Sequence, residues 1–256
     1  MKKAAIILLV LVGLLVVADF GAAAAAEYQV SKRLRGHLDL PDDPAVRING
    51  FPFLTQAIAG DYRNVEVTAD RVTVARLRNI GVEATLRHVR VPLSDLLSGS
   101  ADSVRVDEVT GRARIQVTEL GKLINVEDLR IEPVPGDDQT TTAQSPGGTT
   151  QNPGGTGTVK LTGTTNVAGR RAEVEIVGSL DLVDGQIQVT AREVAVAGIP
   201  ELPSALRLNL LHGFSARLDP GALPFTVTPT ALRVENDTLV VEGTARNIEI
   251  SSSGVH

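Results

Sequence analysis

The chain has 256 residues, a formal charge of −5 and no cysteine. Lack of Cys removes disulfides, thiol nucleophiles, thiolate metal sites and a lipidated N-terminal Cys together. No basic run is interleaved with aromatics, which argues against a nucleic-acid surface. Aromatics are scarce, at five Phe, two Tyr and no Trp, so the places where they occur carry packing or ligand information.

Lys2 and Lys3 precede an unbroken small or apolar run over residues 4–18; Asp19 interrupts it, and Phe20, Gly21 and five alanines follow. A charged n-region, an apolar h-region and an Ala-x-Ala option ending at Ala26 read as a secretory signal. Residues 4–26 also reach the roughly 20 residues needed to span hydrocarbon, if Asp19 sits near one interface. Residues 1–26 are therefore a signal peptide or a membrane anchor, and both place residues 27–256 outside the cytoplasm. Val30, Leu34 and Leu38 then recur every four residues among charged neighbours, an amphipathic helical stripe ended by Pro41 and Pro44.

The segment Gly50-Phe51-Pro52-Phe53-Leu54-Thr55-Gln56, with Tyr62 soon after, concentrates the rare aromatics. Pro52 fixes its own φ and holds Phe51 extended, so the segment is a rigid corner. Residue types favour a corner stapled into a core over a ligand wall.

From Val46 the apolar pattern has period two. Val65, Val67 and Ala69 alternate with polar residues, as do Val72 and Val74. The run Ile80, Val82, Ala84, Leu86 changes parity to Val89 and Val91 at His88, and Ile187, Val189, Ala191 changes likewise to Val194 and Val196. A parity change within one long strand is what a bulge produces. Alternation leaves one dry face, so the sheets are antiparallel and bent. Residues 92–99 and 118–124 carry helix signals. Strands are expected over 104–109, 113–117 and 126–131, with Thr110-Gly111 turning the first pair into a hairpin. Residues 135–157 hold a single Ala and, Pro apart, no other apolar side chain; that composition reads as a disordered insertion within one α+β domain. Beyond it, Val174, Ile176, Leu180 and Leu182 alternate to a turn at Asp184-Gly185. Residues 203–212 fit a helix or a strand, with Pro203 favouring the helix. Leu223-Pro224-Phe225 makes a second Pro-Phe corner, and Asn236-Asp237 is a turn between the closing strands.

Catalytic groupings are missing from the sequence. No Gly-x-Ser-x-Gly elbow, phosphate-binding loop or dinucleotide fingerprint occurs. His37, His88, His212 and His256 lie far apart, with no pair at metal-helix spacing. Carboxylate pairs such as Asp107-Glu108 read as surface groups. The expectation is a non-enzyme without cofactor or metal. A bent sheet with small aliphatic residues on one face and helices beside it can enclose an elongated apolar cavity suited to acyl chains; the same helices can equally fill the concave face as an ordinary core.

The phrase at residues 50–56, Gly60-Asp61-Tyr62, the Val65/Val67 strand, Val91-Pro92-Leu93-Ser94-Asp95-Leu96 and the stretch from Leu223-Pro224-Phe225 through Leu239-Val240-Val241-Glu242-Gly243-Thr244-Ala245 resemble the LmeA family of actinobacterial phospholipid-binding envelope proteins. The likeness runs from about residue 40 to the C-terminus, the insertion excepted. It implies an exported or membrane-anchored protein of the cell envelope that binds phospholipid, inositol phospholipids included, and supports assembly of envelope lipid or lipoglycan. The fold expected is α+β: long curved antiparallel sheets wrapped against a few amphipathic helices, as in tubular lipid-binding domains, with an N-terminal apolar helix. On the cavity reading Phe51, Phe53, Leu54, Tyr62 and Phe225 contact lipid, and Arg47 or Arg63 meets the headgroup phosphate. The alternative is a structural or scaffold envelope protein with a packed interior and no ligand cavity.

Overall fold

The structure is a computed structural model that describes residues 2–74, 77–92, 94–95, 103–134, 157–167, 169–183, 186–218, 228–251 and 254–255. In chain order the elements are α1 (Lys2–Leu38), β1 (Ala45–Asn49), α2 (Phe53–Ala59), β2 (Asp61–Val74), β3 (Leu77–Arg90), β4 (Ser103–Gln116), α3 (Val117–Leu123), β5 (Glu127–Pro133), β6 (Gly157–Val167), β7 (Arg170–Val183), β8 (Gln186–Val196), α4 (Ser204–Gly213), β9 (Ala216–Leu218), β10 (Thr228–Glu235), β11 (Thr238–Ser251) and β12 (Gly254–Val255). The fold is α+β with two antiparallel sheets. One has the order β1-β2-β3-β4-β11-β10 with β12 on β11, and the other is β5-β6-β7-β8-β9.

The chain forms two compact units, one of Met1–Val72, Val82–Gly111 and Ala245–His256, the other of Thr73–Gly81 and Arg112–Thr244. In the first, β1 pairs with β2 from Ala45↔Thr68 to Asn49↔Asn64, and α1 and α2 pack beside them. Its core joins Ile48, Phe53, Ala57, Tyr62, Val89, Val91, Val106, Val109 and Ile248 to Ala26 of α1. In the second unit, the inward residues of β5 to β8, among them Ile131, Leu161, Val174 and Ile176, are buried. The β10–β11 turn locks onto that unit: the Asp237 carbonyl accepts the Val117 amide at 2.9 Å and its carboxylate accepts the Ile131 amide at 3.0 Å. Asn236 and Asp237 both take positive φ, 45° and 59°, as a two-residue hairpin turn requires.

Both parity changes mark backbone irregularities. Along β7–β8, Val177 pairs with Glu193 and Gly178 with Ala191, leaving Arg192 as the extra residue of a bulge. A Cβ on Gly178 would stand 2.5 Å from the Thr190 carbonyl oxygen, so the bulge needs glycine there. In β3, His88 has φ 51°. The Thr110-Gly111 hairpin is corrected: β4 runs unbroken through that dipeptide. Gly111 is not among the positive-φ glycines, which a tight hairpin turn demands. The apolar change from Val104 and Val106 to Val109 and Ala113 instead shifts parity within one strand, and Val106 and Val109 are both buried. The helices expected at 118–124 and 203–212 appear as α3 and α4. Most of the helix expected over 92–99, the Asp184-Gly185 turn, the 135–156 segment between β5 and β6, and the Leu223-Pro224-Phe225 corner lie outside the described residues.

Candidate functional site

The aromatic corner joins β1 to α2, and each of its residues has a separate task. Gly50 takes φ 110°; a Cβ there would lie 2.8 Å from the Gln56 side-chain nitrogen. That nitrogen donates to the Gly50 carbonyl at 2.9 Å, and the Gln56 Oε1 accepts the Arg63 amide at 3.0 Å. Buried Gln56 thus ties the corner to the start of β2 with both ends of its amide satisfied. The Phe51–Pro52 peptide is cis. Gly60, at φ 66°, closes α2, as an αL glycine closes many helices.

The two phenylalanines of the corner part company. Phe53 is 3% exposed and meets Tyr62, itself 2% exposed, at 6.1 Å between ring centroids. Phe51 is 58% exposed and stacks on Phe20 of α1 at 6.1 Å. Leu54 is partly buried against the same core. Of the lipid-contact set expected from sequence, Phe53 and Tyr62 therefore sit inside the core, Phe51 and Leu54 keep open surface, and Phe225 lies outside the described residues.

The residue that organises the corner lies 34 positions upstream. α2 begins at Phe53 behind Pro52, which supplies no side-chain cap. The first amides of a helix lack intrahelical acceptors, and here Asp19 of α1 provides them. Its carboxylate oxygens accept the Phe53 amide at 2.8 Å and the Leu54 amide at 2.7 Å, and Asp19 is 3% exposed. Further along α1, Ala22 and Ala23 pack on the core. The Glu27 Oε1 accepts the Ile48 amide at 2.7 Å, and the Ser31 hydroxyl donates to the Pro44 carbonyl at 2.6 Å. Lys32 and Arg35 then meet Asp43 at 2.6 and 3.2 Å. The signal available in the sequence was the carboxylate itself: a charged group within an apolar helix is costly enough to require a partner.

A polar cleft of about 370 Å³ in the same unit is lined by Arg63, Asn64, Arg87, His88, Asp107 and Glu108. His88 faces the Asp61 carboxylate at 3.2 Å, and Arg87 approaches Glu108 at 3.9 Å. The Asn64 Oδ1 is buried with no hydrogen-bond partner among the described residues. Arg63 belongs to this cleft, whereas Arg47 is exposed on β1 opposite Glu66. Among the described residues no group of His, Asp and Glu could hold a metal ion.

No curated protein and no solved structure matches the chain. A family model described as LmeA-like phospholipid-binding matches residues 17–244, a stretch that takes in Asp19, the aromatic corner and every strand up to the first half of β11. The chain belongs to the LmeA-like phospholipid-binding family.

Proposed function

We propose that this chain is a membrane-anchored phospholipid-binding protein of the cell envelope, with residues 27–256 on the outer side of the cytoplasmic membrane, that holds acyl chains in an apolar cavity and supports assembly of envelope lipid or lipoglycan. The family match over residues 17–244 carries the phospholipid. For the anchor, the supporting observation is α1, which is long and apolar enough to cross a membrane. Lys2 and Lys3 stay on the cytoplasmic side, as the charged start of a secretory signal or signal anchor does; with Lys32, Arg33 and Arg35 on the far flank, charge bias alone sets no orientation.

The role is binding rather than catalysis. Phe51 and Leu54 keep the surface needed to touch lipid, and Phe53 and Tyr62 hold the corner from behind. The Arg63 and Arg87 guanidiniums are suited to a headgroup phosphate as charge-assisted donors. Asp107 and Glu108 beside them can accept from a hydroxyl-rich headgroup such as inositol. Native mass spectrometry of the full-length protein, extracted from its own membrane in mild detergent, tests the reading. A phospholipid-mass adduct that survives detergent exchange is the expected result. A bare protein that also takes up no phosphatidylinositol from mixed micelles would remove the ligand and leave a scaffold.

A further inference from the structure

α1 contains 37 residues, which at about 1.5 Å per residue makes roughly 55 Å. A hydrocarbon core of about 30 Å takes up about 20 of them. Counted from Ala4, just inside the Lys2-Lys3 pair, the span ends near Ala23. From Ile6 to Val17 the large side chains, half-buried Val16 excepted, are exposed, as lipid-facing residues of a span must be. Asp19 and Phe20 fall in the last turns of that span, with Phe20 roughly 5 Å inside the boundary.

At that depth two observations need a common cause. The first is Asp19, whose carboxylate is enclosed by the α2 amides instead of facing outward. The second is the Phe20–Phe51 stack, which is exposed although each ring could bury well over 100 Å² of apolar area. Because Asp19 fixes the start of α2 and Phe20 meets Phe51, the corner is held at the level where the span emerges. α2 also leaves Ile58 84% exposed. Further out on α1, Tyr28 carries Lys32 over its ring at 5.5 Å, followed by Arg33 and Arg35. Apolar then aromatic is the order in which a bilayer presents hydrocarbon and interface, and the basic residues, roughly 14–18 Å beyond Ala23, stand clear in water.

The geometry points to a bilayer-embedded corner: Phe20 and Phe51 sit in the outer acyl–headgroup boundary beside α1, and Asp19 secures α2 there with no carboxylate facing lipid. This rests on the anchor in the proposed function, and goes beyond it by assigning a lipid-surface contact to a part of the folded unit.

The chain lacks Trp, so single Trp variants of the full-length protein report depth without background. Val10→Trp, Phe51→Trp and Leu38→Trp would be reconstituted separately into vesicles of phosphatidylcholine and phosphatidylglycerol, with or without bromine on the acyl chains. Val10→Trp and Phe51→Trp should both show blue-shifted emission that brominated lipid quenches, and Leu38→Trp neither. Quenching of Val10→Trp without quenching of Phe51→Trp overturns the embedded corner and leaves the anchor standing. If neither is quenched, the anchor fails and the corner with it. After extraction in mild detergent and reconstitution into excess unbrominated vesicles, Phe51→Trp quenching that persists while Val10→Trp quenching is lost reports a lipid held by the protein in place of the bilayer, and also overturns the embedding. Phe51 packs little of its surface, so the substitution should fold; an unchanged circular dichroism spectrum checks this.

Discussion

The two halves of α1 differ in make-up, mainly large aliphatic residues over 6–17 and mainly small or polar ones from Asp19 onward, and meet opposite surroundings. Residues 6–17, half-buried Val16 excepted, expose their Leu, Ile and Val side chains, whereas from Asp19 onward the helix gives Ala22, Ala23 and Ala26 to the core and Asp19, Glu27 and Ser31 to backbone partners in β1, α2 and the segment before β1. Hydrophobicity therefore does not decide which half packs. Side-chain size and hydrogen-bonding ability do: alanines let a neighbour approach closely, and the three polar residues answer backbone groups that would otherwise be buried unpaired. A signal peptidase cut after Ala26 would discard Asp19 and its contacts with α2, which the anchor proposed above retains. Intact mass of the protein from its native membrane should include residues 1–26.

The strongest way to break this contrast acts on what the packed half packs against. Phe53→Ala empties a core position beside Tyr62 and Ala57, and should cost about 3–5 kcal/mol, read as a large drop in Tm. Phe51→Ala, one residue beyond the same proline, should leave Tm nearly unchanged. Equal losses at the two positions would mean that both rings staple the core.

Next in size is Asp19. Asp19→Ala strips acceptors from two amides, at about 1–3 kcal/mol for each group left buried and unsatisfied. Asp19→Asn should fall between, because its one carbonyl oxygen serves a single amide while its NH2 group opposes the other. Deleting residues 1–18 should keep the Tm of the first unit, and deleting 1–26 should lower it at least as far as Asp19→Ala does. Equal melting of the two truncations in the same detergent would show that Asp19 and the alanines add nothing.

Much of the sheet architecture was legible because small aliphatic residues alternate cleanly, and the parity change after Ala191 located the Arg192 bulge to within a residue or two. The same logic overlooked the parity change in β4, since Thr-Gly is a common turn dipeptide and its required positive φ is visible only in the backbone. α2 also escaped, although Pro52 before it and Gly60 after it are the start and stop signals that identify helices elsewhere in the chain. The corner was found, but its division was not. Phe51 and Phe53 are the same residue type on either side of one proline, and which faces the core depends on where α2 begins. Asp19 was noticed only as an interruption, because its partners are 34 and 35 residues away and no local pattern connects them.

A smaller effect tests how dry the core beside the corner is. Burial raises the Tyr62 phenol above its ordinary pKa of 10.0, and its hydroxyl has no hydrogen-bond partner among the described residues. The folded group stays neutral where the unfolded one ionises, so stability from this residue is full below about pH 10 and falls as pH rises beyond it. Tyr62→Phe should keep Tm or raise it slightly at pH 7, because an unpaired buried hydroxyl is removed with little change of shape. It should also flatten the alkaline loss. A clear destabilisation at pH 7 would mean that the hydroxyl has a partner after all.

The least effect is expected where α1 leaves the core, at the exposed Lys32–Asp43 pair. The hydrogen bond from Lys32 holds the Asp43 carboxyl below its ordinary range, with Arg35 adding to it, and the same bond raises Lys32. A depressed carboxylate stabilises above the unfolded value near 3.9 and loses that contribution as pH falls through its lower folded value; a raised lysine keeps its contribution until pH passes about 10.4. The pair therefore helps across neutral pH and fails first in acid. Exposed pairs gain little from Coulomb attraction in water and are screened by salt. Asp43→Asn should accordingly cost little at pH 7, and high salt should shrink the difference further. Its Tm should converge with that of the parent protein only as pH falls below the ordinary carboxylate range, where the paired Asp43 takes up its proton. Convergence is the informative outcome. A variant that melts early at every pH would show that Asp43 matters to the β1 approach by shape, while one that differs only at neutral pH shows that the outer end of α1 is held by charge alone, in contrast to the hydrogen-bonded grip at Asp19.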